Sequence, residues 1–384
     1  MKREERKKKL RLKLIVTVDI ALLAILCGVL TVKSLQKTKE KEAEPKVQAE
    51  KEEKEKEIPE TTITISAAGD CTLGTDEGFD YKRSFKGKYD AVQDPAYFLQ
   101  NVQPVFAQDD LTIVNMEGTL TEETSREPKQ FAFKGDAEYA KILTAGAVEA
   151  ANLANNHSFD YGDKSYEDTI AALDAEGICS FGYERTAVMD IKGVKVGLAG
   201  VYELADHIDC KQDMLDNIAD LKEQGAQIII VSFHWGQERE NVPNEVQVAL
   251  GHAAIDNGAD LVLGHHPHVL QGIEEYKGKN IVYSLGNFCF GGNSAPRDMD
   301  TMIFQQTFTV KNGELQEDNV KNMIPCKISS AYQEGYNNYQ PVIVDGEEKE
   351  KILQRVMEYS QKAQEAGDRL AQKNSEQDSE KESE

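Results

Sequence analysis

The stretch "DMLDNIADLKEQGAQIIIVSFHWG", residues 213–236, carries the pattern that decides the fold. Its first part places apolar residues at helical spacing and stops at a glycine. Its second part, "IIIVSF", is apolar except for Ser232 and is followed by His234. A continuously apolar strand after a helix is typical of a parallel sheet buried by helices. Residues 244–268, "NEVQVALGHAAIDNGADLVLGHHPH", repeat this plan and end at a cluster of histidines.

The alternation continues outward in both directions. Further strands are predicted at 61–70, 110–118, 194–203, 279–288, 301–310 and 320–329, with helices in 138–157 and 165–178. Repeated strand–helix alternation predicts the α/β class, with a sheet covered by helices on both faces. The segment 61–345 is long enough for one large domain, and no fixed-period repeat is present in it.

The N-terminal segments are predicted to anchor the chain in a membrane. Residues 14–32, "LIVTVDIALLAILCGVLTV", have the length and apolarity of a transmembrane anchor, and the basic segment 1–13 precedes them. Basic residues stay on the cytoplasmic side, so the remainder of the chain is expected outside the cell. A cleaved signal peptide is the alternative. Asp19, inside the apolar stretch, is either a tolerated polar residue or a contact with a partner helix of a membrane complex.

Charged segments flank the predicted domain. Residues 33–60 contain almost nothing apolar and are expected to form a solvated stalk. Residues 346–384 are expected to form a charged C-terminal helix, within 352–372, and a disordered tail. The five cysteines outside the apolar stretch are odd in number and irregularly spaced, which favours free buried thiols over a disulfide framework.

The net charge of the chain is −23, which excludes nucleic acid as an expected partner because phosphate binding needs a basic surface. A polyanionic substrate would likewise be repelled unless divalent cations or local basic residues intervene.

Polar side chains follow the C-terminal ends of the predicted strands, namely Asp70, Glu117, Asn156, His157, His234, His266, His268 and Asn287. Ligands bind at that edge of an α/β sheet. Taken singly, each residue has an ordinary explanation as a turn residue, a helix cap or a satisfied core histidine. The alternate positions of His266 and His268 place both rings on one side if the segment is extended. Together the residues predict a functional site.

Carboxylate, imidazole and amide groups form a mixed ligand set that suits Mn, Zn, Fe or Mg, as one or two divalent ions. Such ions activate water and neutralise charge on an oxygen, and a neighbouring histidine can protonate a leaving group. Serine-nucleophile catalysis has no support, because the chain contains no G-x-S-x-G motif.

Six motifs, in order and spacing, resemble the capsule-synthesis CapA family of poly-γ-glutamate proteins: "AAGDCTLG", "VNMEGTLT", "ANNHSFDYG", "VSFHWGQE", "LGHHPHVLQG" and "YSLGNFCFG". The resemblance covers about residues 63–292. It implies a four-layered α/β sandwich similar to the calcineurin-like metallophosphoesterases, and a membrane-anchored domain outside the cell.

The resemblance also implies roles for individual residues. Asp70, Asn156, His234, His266 and His268 would bind metal, Glu117 would bridge two ions, and His157 would be the proton donor. Two features depart from the phosphatase pattern: Thr72 stands where a histidine is usual, and the bridging group is Glu117 rather than an aspartate. The first ion would then be weakly held, missing or of a different kind.

Three functions remain open on the sequence. The first is a membrane-anchored protein of poly-γ-glutamate synthesis or export, in which Arg126, Lys129 and Lys134 are candidate contacts for the anionic polymer or lie in a solvated loop. The second is a metal-dependent phosphoesterase or amide hydrolase at the cell surface. The third is a non-catalytic scaffold that docks synthase subunits in the membrane.

Overall fold

A computed structural model of the chain describes residues 60–331, 333 and 335–381. The predicted basic segment, the predicted anchor and the predicted stalk up to residue 59 lie outside these residues. Within the part that the structure describes, no helix is both long enough and apolar enough to cross a bilayer.

Seventeen strands and eight α-helices are present in the described residues, together with three short 3₁₀ segments. The strands are β1 Glu60–Thr72, β2 Leu111–Met116, β3 Thr119–Leu120, β4 Lys134–Gly135, β5 Ala150–Asn152, β6 Cys179–Phe181, β7 Ala187–Ile191, β8 Val194–Tyr202, β9 Ile228–His234, β10 Leu261–His265, β11 Ile273–Tyr276, β12 Lys279–Val282, β13 Asn287–Phe290, β14 Asp300–Lys311, β15 Glu314–Leu315, β16 Val320–Lys327 and β17 Val342–Ile343. The helices are α1 Phe85–Val92, α2 Ala96–Leu99, α3 Gln103–Phe106, α4 Ala140–Ala145, α5 Asp163–Ala175, α6 Lys211–Glu223, α7 Glu245–Asp256 and α8 Gly346–Lys381.

The strands form two main sheets. The larger has the order β17-β16-β14-β1-β2-β5-β6, with β13 paired to β1 and β15 paired to β14. The smaller has the order β11-β12-β10-β9-β8-β7. The central pairs β1–β2, β2–β5, β8–β9 and β9–β10 are parallel, so their C-terminal ends share an edge. The α/β class predicted from the sequence is confirmed.

Three clusters of buried side chains set the order of the layers. One lies between the sheets and joins residues such as Ile63 and Ile65 of the larger sheet to Ile230 and Leu263 of the smaller. The second packs α1–α5 on the outer face of the larger sheet, and the third packs α6 and α7 on the outer face of the smaller sheet. Each such fully buried aliphatic side chain contributes about 1.5–3 kcal/mol. The layers therefore run helix, sheet, sheet, helix.

The strand–helix pattern predicted one sheet with helices on both faces, which is wrong, whereas two sheets between two helical layers match the four-layered sandwich that the resemblance implied. The predicted strand 279–288 is also two strands, because β12 belongs to the smaller sheet and β13 to the larger. Gly286, at a φ of 70°, stands at the crossing between them. The crossing delivers Asn287 to the edge of β1, where its Cα is opposite Asp70.

The C-terminal helix α8 is part of the folded domain and is longer than the sequence indicated. It contributes Ile352 and Val356 to the core between the sheets. Arg355 forms ion pairs with Asp298, at 2.8 Å, and with Asp300. The helix continues to Lys381, where a disordered tail was expected from residue 373.

Helix α8 also seats on a buried polar group of the smaller sheet. The Glu274 carboxylate accepts hydrogen bonds from the Tyr283 hydroxyl at 2.6 Å and pairs with His252 Nε2 at 2.8 Å. Gly367 of α8 lies over this carboxylate, so that a Cβ at residue 367 would approach Glu274 Oε1 to 2.0 Å. A side chain at residue 367 would therefore require the Glu274 carboxylate, which His252 and Tyr283 hold, to move.

Gly367→Ala is expected to destabilise the protein by up to about 2 kcal/mol. Alanine improves helix propensity by about 1 kcal/mol, but overpacking against a held group costs about 1–3 kcal/mol. Urea unfolding of Gly367→Ala beside Asp368→Ala, an exposed neighbour on the same helix, measures the difference. A Gly367→Ala protein as stable as the wild type would show that α8 does not dock on Glu274.

Candidate metal centre

The carboxyl ends of parallel strands from both sheets converge on one edge of the molecule. Asp70 lies near the end of β1, Glu117 follows β2, and His234 ends β9 opposite His265 at the end of β10. Asp70 and Glu117 are fully buried, as is His234. The sequence prediction that strand ends bring these side chains together is confirmed for this edge.

The donor atoms form two clusters that share Glu117. In one cluster, ligand atoms of Glu117, His234 and His266 lie within 4.8 Å of one another, and in the other the same holds for Asp70, Glu117 and His268. Within them, Glu117 Oε1 is 3.7 Å from His234 Nε2 and 3.7 Å from His268 Nε2. A shared carboxylate between two donor sets is the arrangement that a bridged pair of ions uses.

Asp70 is held from both of its oxygens. Asn115 Nδ2 donates to Oδ1 at 2.8 Å and lies 3.3 Å from His234 Nδ1, so that it ties the two clusters together. Oδ2 accepts the backbone N–H of His266 at 3.3 Å and lies 3.3 Å from His268 Nδ1. These outer partners fix the orientation of the groups that face the clusters.

Several buried atoms at the clusters that could bind a metal have no hydrogen-bond partner within the described part of the chain. They are Glu117 Oε1, His234 Nε2 and His266 Nδ1. Asn156 Oδ1 is also unpartnered, but Asn156 has no contact with either cluster among the described residues. Each unsatisfied buried polar atom costs about 1–3 kcal/mol, which a bound divalent cation would offset. The residues present therefore fit a metal ion. The other oxygen of the Glu117 carboxylate, Oε2, accepts a hydrogen bond from the Thr72 hydroxyl at 3.4 Å.

His266 and His268 reach the clusters by a route that the sequence did not predict. Their spacing suggested an extended segment, but the backbone bends, with φ of 94° at His266 and 58° at His268. Positive φ is uncommon outside glycine and costs of order 1–3 kcal/mol at each residue. The bend sends His266 to one cluster and His268 to the other.

Burial and charge set the protonation of the rings. Burial lowers the pKa of His265 to about 4 and of His266 to about 3, so both are neutral near pH 7. Burial likewise lowers the pKa of His234 well below its usual value. A neutral imidazole is the form that binds metal.

The pKa values of Glu117 and His268 are raised rather than lowered. Burial raises the pKa of Glu117 to about 8, although the charge of His268 opposes it. For His268, burial lowers the pKa, but the carboxylates of Glu117 and Asp70 outweigh it and raise the pKa to about 10. Burial opposes the ionisation of Asp70, but the contact with His268 outweighs it and lowers the pKa of Asp70, so His268 and Asp70 form an ion pair near pH 7.

His157 faces the clusters and is oriented from behind by Asp160. His157 Nδ1 lies 2.7 Å from Asp160 Oδ2, at hydrogen-bonding distance. On the other side of the ring, His157 Nε2 lies 4.0 Å from Glu117 Oε1. Lys129 Nζ lies 2.5 Å from the other oxygen of Asp160 and donates to the Asn156 carbonyl at 2.6 Å. Burial lowers the pKa of His157, and the hydrogen bond to Asp160 partly opposes this.

The other two cations expected to contact substrate have partners inside the protein. Arg126 pairs with Asp76 at 2.9 Å and donates to backbone carbonyls of its own loop. Lys134 donates to the Glu123 carbonyl at 2.6 Å and lies over the Tyr161 ring. These contacts tie the loop after β3 to the domain.

Three residues that hold the site have no role in the sequence prediction. Asn115 contacts Asp70, and Asp160 contacts His157. Asn287, which the sequence places at a strand end, has its Oδ1 2.9 Å from His268 Nδ1. Asp160 follows His157 by three residues within a turn, a spacing that allows contact. The five described cysteines are free, in agreement with the sequence prediction.

Comparisons with known proteins agree with the motifs. Residues 64–292, more than half of the chain, match the family described as bacterial capsule synthesis protein PGA_cap. The chain is 31% identical to the PGA biosynthesis protein CapA of Bacillus subtilis over 212 residues, covering 50% of this chain and 56% of that protein. It is 30% identical to the capsule biosynthesis protein CapA of Bacillus anthracis, covering 50% of this chain and 54% of that protein.

The matched region thus spans a little over half the length of these curated relatives. Among solved structures, the chain is similar to the NAD nucleotidase of Haemophilus influenzae, with 14% identity and a TM-score of 0.39 over 83% of this chain and 60% of that one. On the family match, which covers most of the predicted domain, this chain belongs to the bacterial capsule synthesis family PGA_cap.

Proposed function

We propose that this chain is a cell-surface protein of poly-γ-glutamate capsule biosynthesis whose domain carries a metal-dependent hydrolytic site. The names of its relatives in Bacillus support the capsule role. The observation that carries the hydrolytic part is the pair of donor clusters sharing Glu117, whose buried donor atoms have no other partner among the described residues. The site would hydrolyse an amide bond of the polymer. The alternative substrate is a phosphoester at the cell surface.

A pair of divalent ions such as Mn²⁺, Zn²⁺, Fe²⁺ or Mg²⁺ would supply an activated water and would neutralise charge on the reacting oxygen. Asp70 and His268 would hold one ion, His234, His266 and Asn156 the other, and Glu117 both. Asn115 and Asn287 would orient these ligands.

His157 would move the proton. Since Asp160 accepts the hydrogen bond of Nδ1–H, the lone pair of the neutral ring is on Nε2, which faces the clusters. The ring can take up a proton at Nε2 and return it to a leaving oxygen or nitrogen. Lys129 limits the charge that Asp160 presents to His157, and one of its three N–H groups remains to meet a carboxylate of the polymer.

The location at the cell surface rests on residues 1–32, which the sequence pattern favours as a basic segment followed by a membrane anchor. Anchoring would hold the domain beside the membrane subunits that make or export the polymer. Because the chain is strongly acidic, the polymer would approach through bound metal ions rather than through a basic surface.

The test is incubation of the purified full chain with poly-γ-glutamate and, separately, with bis(p-nitrophenyl) phosphate, in the presence of Mn²⁺ or of EDTA. We expect Mn²⁺-dependent shortening of the polymer by size-exclusion chromatography, or Mn²⁺-dependent release of nitrophenol. A metal-loaded chain that cleaves neither substrate and does not bind the polymer would contradict the proposal. Binding without cleavage would favour the scaffold function.

A further inference from the structure

His265 is a buried histidine outside both donor clusters. It ends β10 and is 1% exposed, yet neither of its ring nitrogens has a hydrogen-bond partner within the described residues. An unpartnered buried polar group is costly, and an apolar side chain of similar volume would avoid the cost. A functional role would explain why a histidine rather than an apolar residue occupies position 265.

The charged group that His265 faces is Asp70. His265 Nδ1 lies 3.7 Å from Asp70 Oδ1, the oxygen that also accepts from Asn115, while Asp70 Oδ2 faces His266 and His268. The two oxygens thus have different neighbours: Oδ1 lies beside Asn115 and His265, and Oδ2 lies beside the His266 N–H and His268.

We propose that His265 is a positioning residue of the metal centre, which donates from Nδ1 to Asp70 Oδ1 and so keeps Oδ2 directed at the cation. The proposal rests on the proposed metal centre and adds an outer partner to it. A role as a direct ligand is less consistent with the geometry, because His265 belongs to neither group of mutually close donor atoms. Outer partners of ligands typically change metal affinity by 10- to 100-fold.

Support comes from the composition of the Asp70 cluster. It has three side chains, one of which, Glu117, is shared with the other cluster. Thr72, two residues after Asp70, presents its hydroxyl to Glu117 rather than a ring to the cluster. With so few ligands, the orientation of the Asp70 carboxylate matters more for holding a cation.

The test is an EPR titration of Mn²⁺ into the full chain for wild type, His265→Leu and His265→Asn. His265→Leu is expected to weaken the binding of one ion by about 10- to 100-fold. His265→Asn is expected to stay near wild type, because its amide nitrogen can replace Nδ1–H. The melting temperature of metal-free His265→Leu should equal or exceed that of wild type, because the substitution removes an unpartnered buried ring.

His252→Leu is the matched control, because His252 is a buried histidine paired with Glu274 away from the centre. It should lower stability without changing the Mn²⁺ affinity. His265→Met provides a second apolar variant if His265→Leu does not fold. Unchanged Mn²⁺ affinity in the apolar variant, or an equal loss in His265→Asn, would overturn the role of His265. A wild-type chain that binds no Mn²⁺ would overturn the metal centre itself.

Discussion

Replacing Glu117 by glutamine is expected to remove most of the bound divalent metal, because Glu117 is the one side chain common to both donor clusters. The substitution removes the negative charge and leaves a single amide oxygen where two carboxylate oxygens stood. The loss of affinity should exceed the 10- to 100-fold that an outer partner causes. Elemental analysis of the purified chain and calorimetric titration with Mn²⁺ measure it.

Glu274→Gln is the matched control for Glu117→Gln. Glu274 is also a buried glutamate, but it pairs with His252 and Tyr283 beneath helix α8. Its variant should lose stability and keep the metal. If Glu117→Gln retained wild-type metal content, Glu117 could not be the shared ligand.

The same variant makes a prediction about the metal-free protein. Burial raises the pKa of Glu117 to about 8, which shows that the carboxylate is costly where it lies. Metal-free Glu117→Gln should therefore melt at or above the temperature of the metal-free wild type. Adding Mn²⁺ should raise the melting temperature of the wild type but not of the variant, because only the wild type binds the ion tightly.

Substitution of His157 by alanine is expected to lower metal-dependent hydrolysis by about 10²- to 10⁴-fold, the range typical for loss of a general acid or base. The metal content should stay at the wild-type level, because His157 belongs to neither donor cluster. Initial rates with bis(p-nitrophenyl) phosphate and with poly-γ-glutamate give the measurement. Measuring both metal content and rate thus distinguishes the role of His157 in proton transfer from the role of Glu117 in metal binding.

Two comparisons sharpen the result for His157. Asp160→Asn, which weakens the orientation of the ring at Nδ1, should lower the rate less than His157→Ala and should leave metal bound. His207→Ala, at a largely exposed histidine outside the site, should leave the rate unchanged. In cells, capsule production that survives His157→Ala would favour a scaffold, because a scaffold does not need the proton transfer.

The edge of the site was predictable because it depends on local pattern. Continuously apolar strands such as 228–233 end at polar residues, and parallel strands bring those ends together. The pairing of whole strands was not predictable, since strand–helix alternation fits one sheet or two. Only the long-range pairing of β14 with β1, and the split between β12 and β13, distinguishes these arrangements.

Other features depended on backbone or contact details that residue types do not reveal. The positive φ angles of His266 and His268 are imposed by packing rather than by local preference, since neither residue is glycine. The extension of α8 past residue 372 was not predictable, because residues 373–381, "KNSEQDSEK", mix good helix formers with asparagine, serine and aspartate, which are not.

The most direct test of the metal centre is elemental analysis of the full chain purified after expression with Mn, Zn and Fe supplied, with His266→Ala analysed in parallel. We expect two tightly bound ions per wild-type chain and fewer in the variant, because His266 belongs to one cluster and Glu117 to both. A folded wild-type chain that carries no tightly bound metal under these conditions would contradict it.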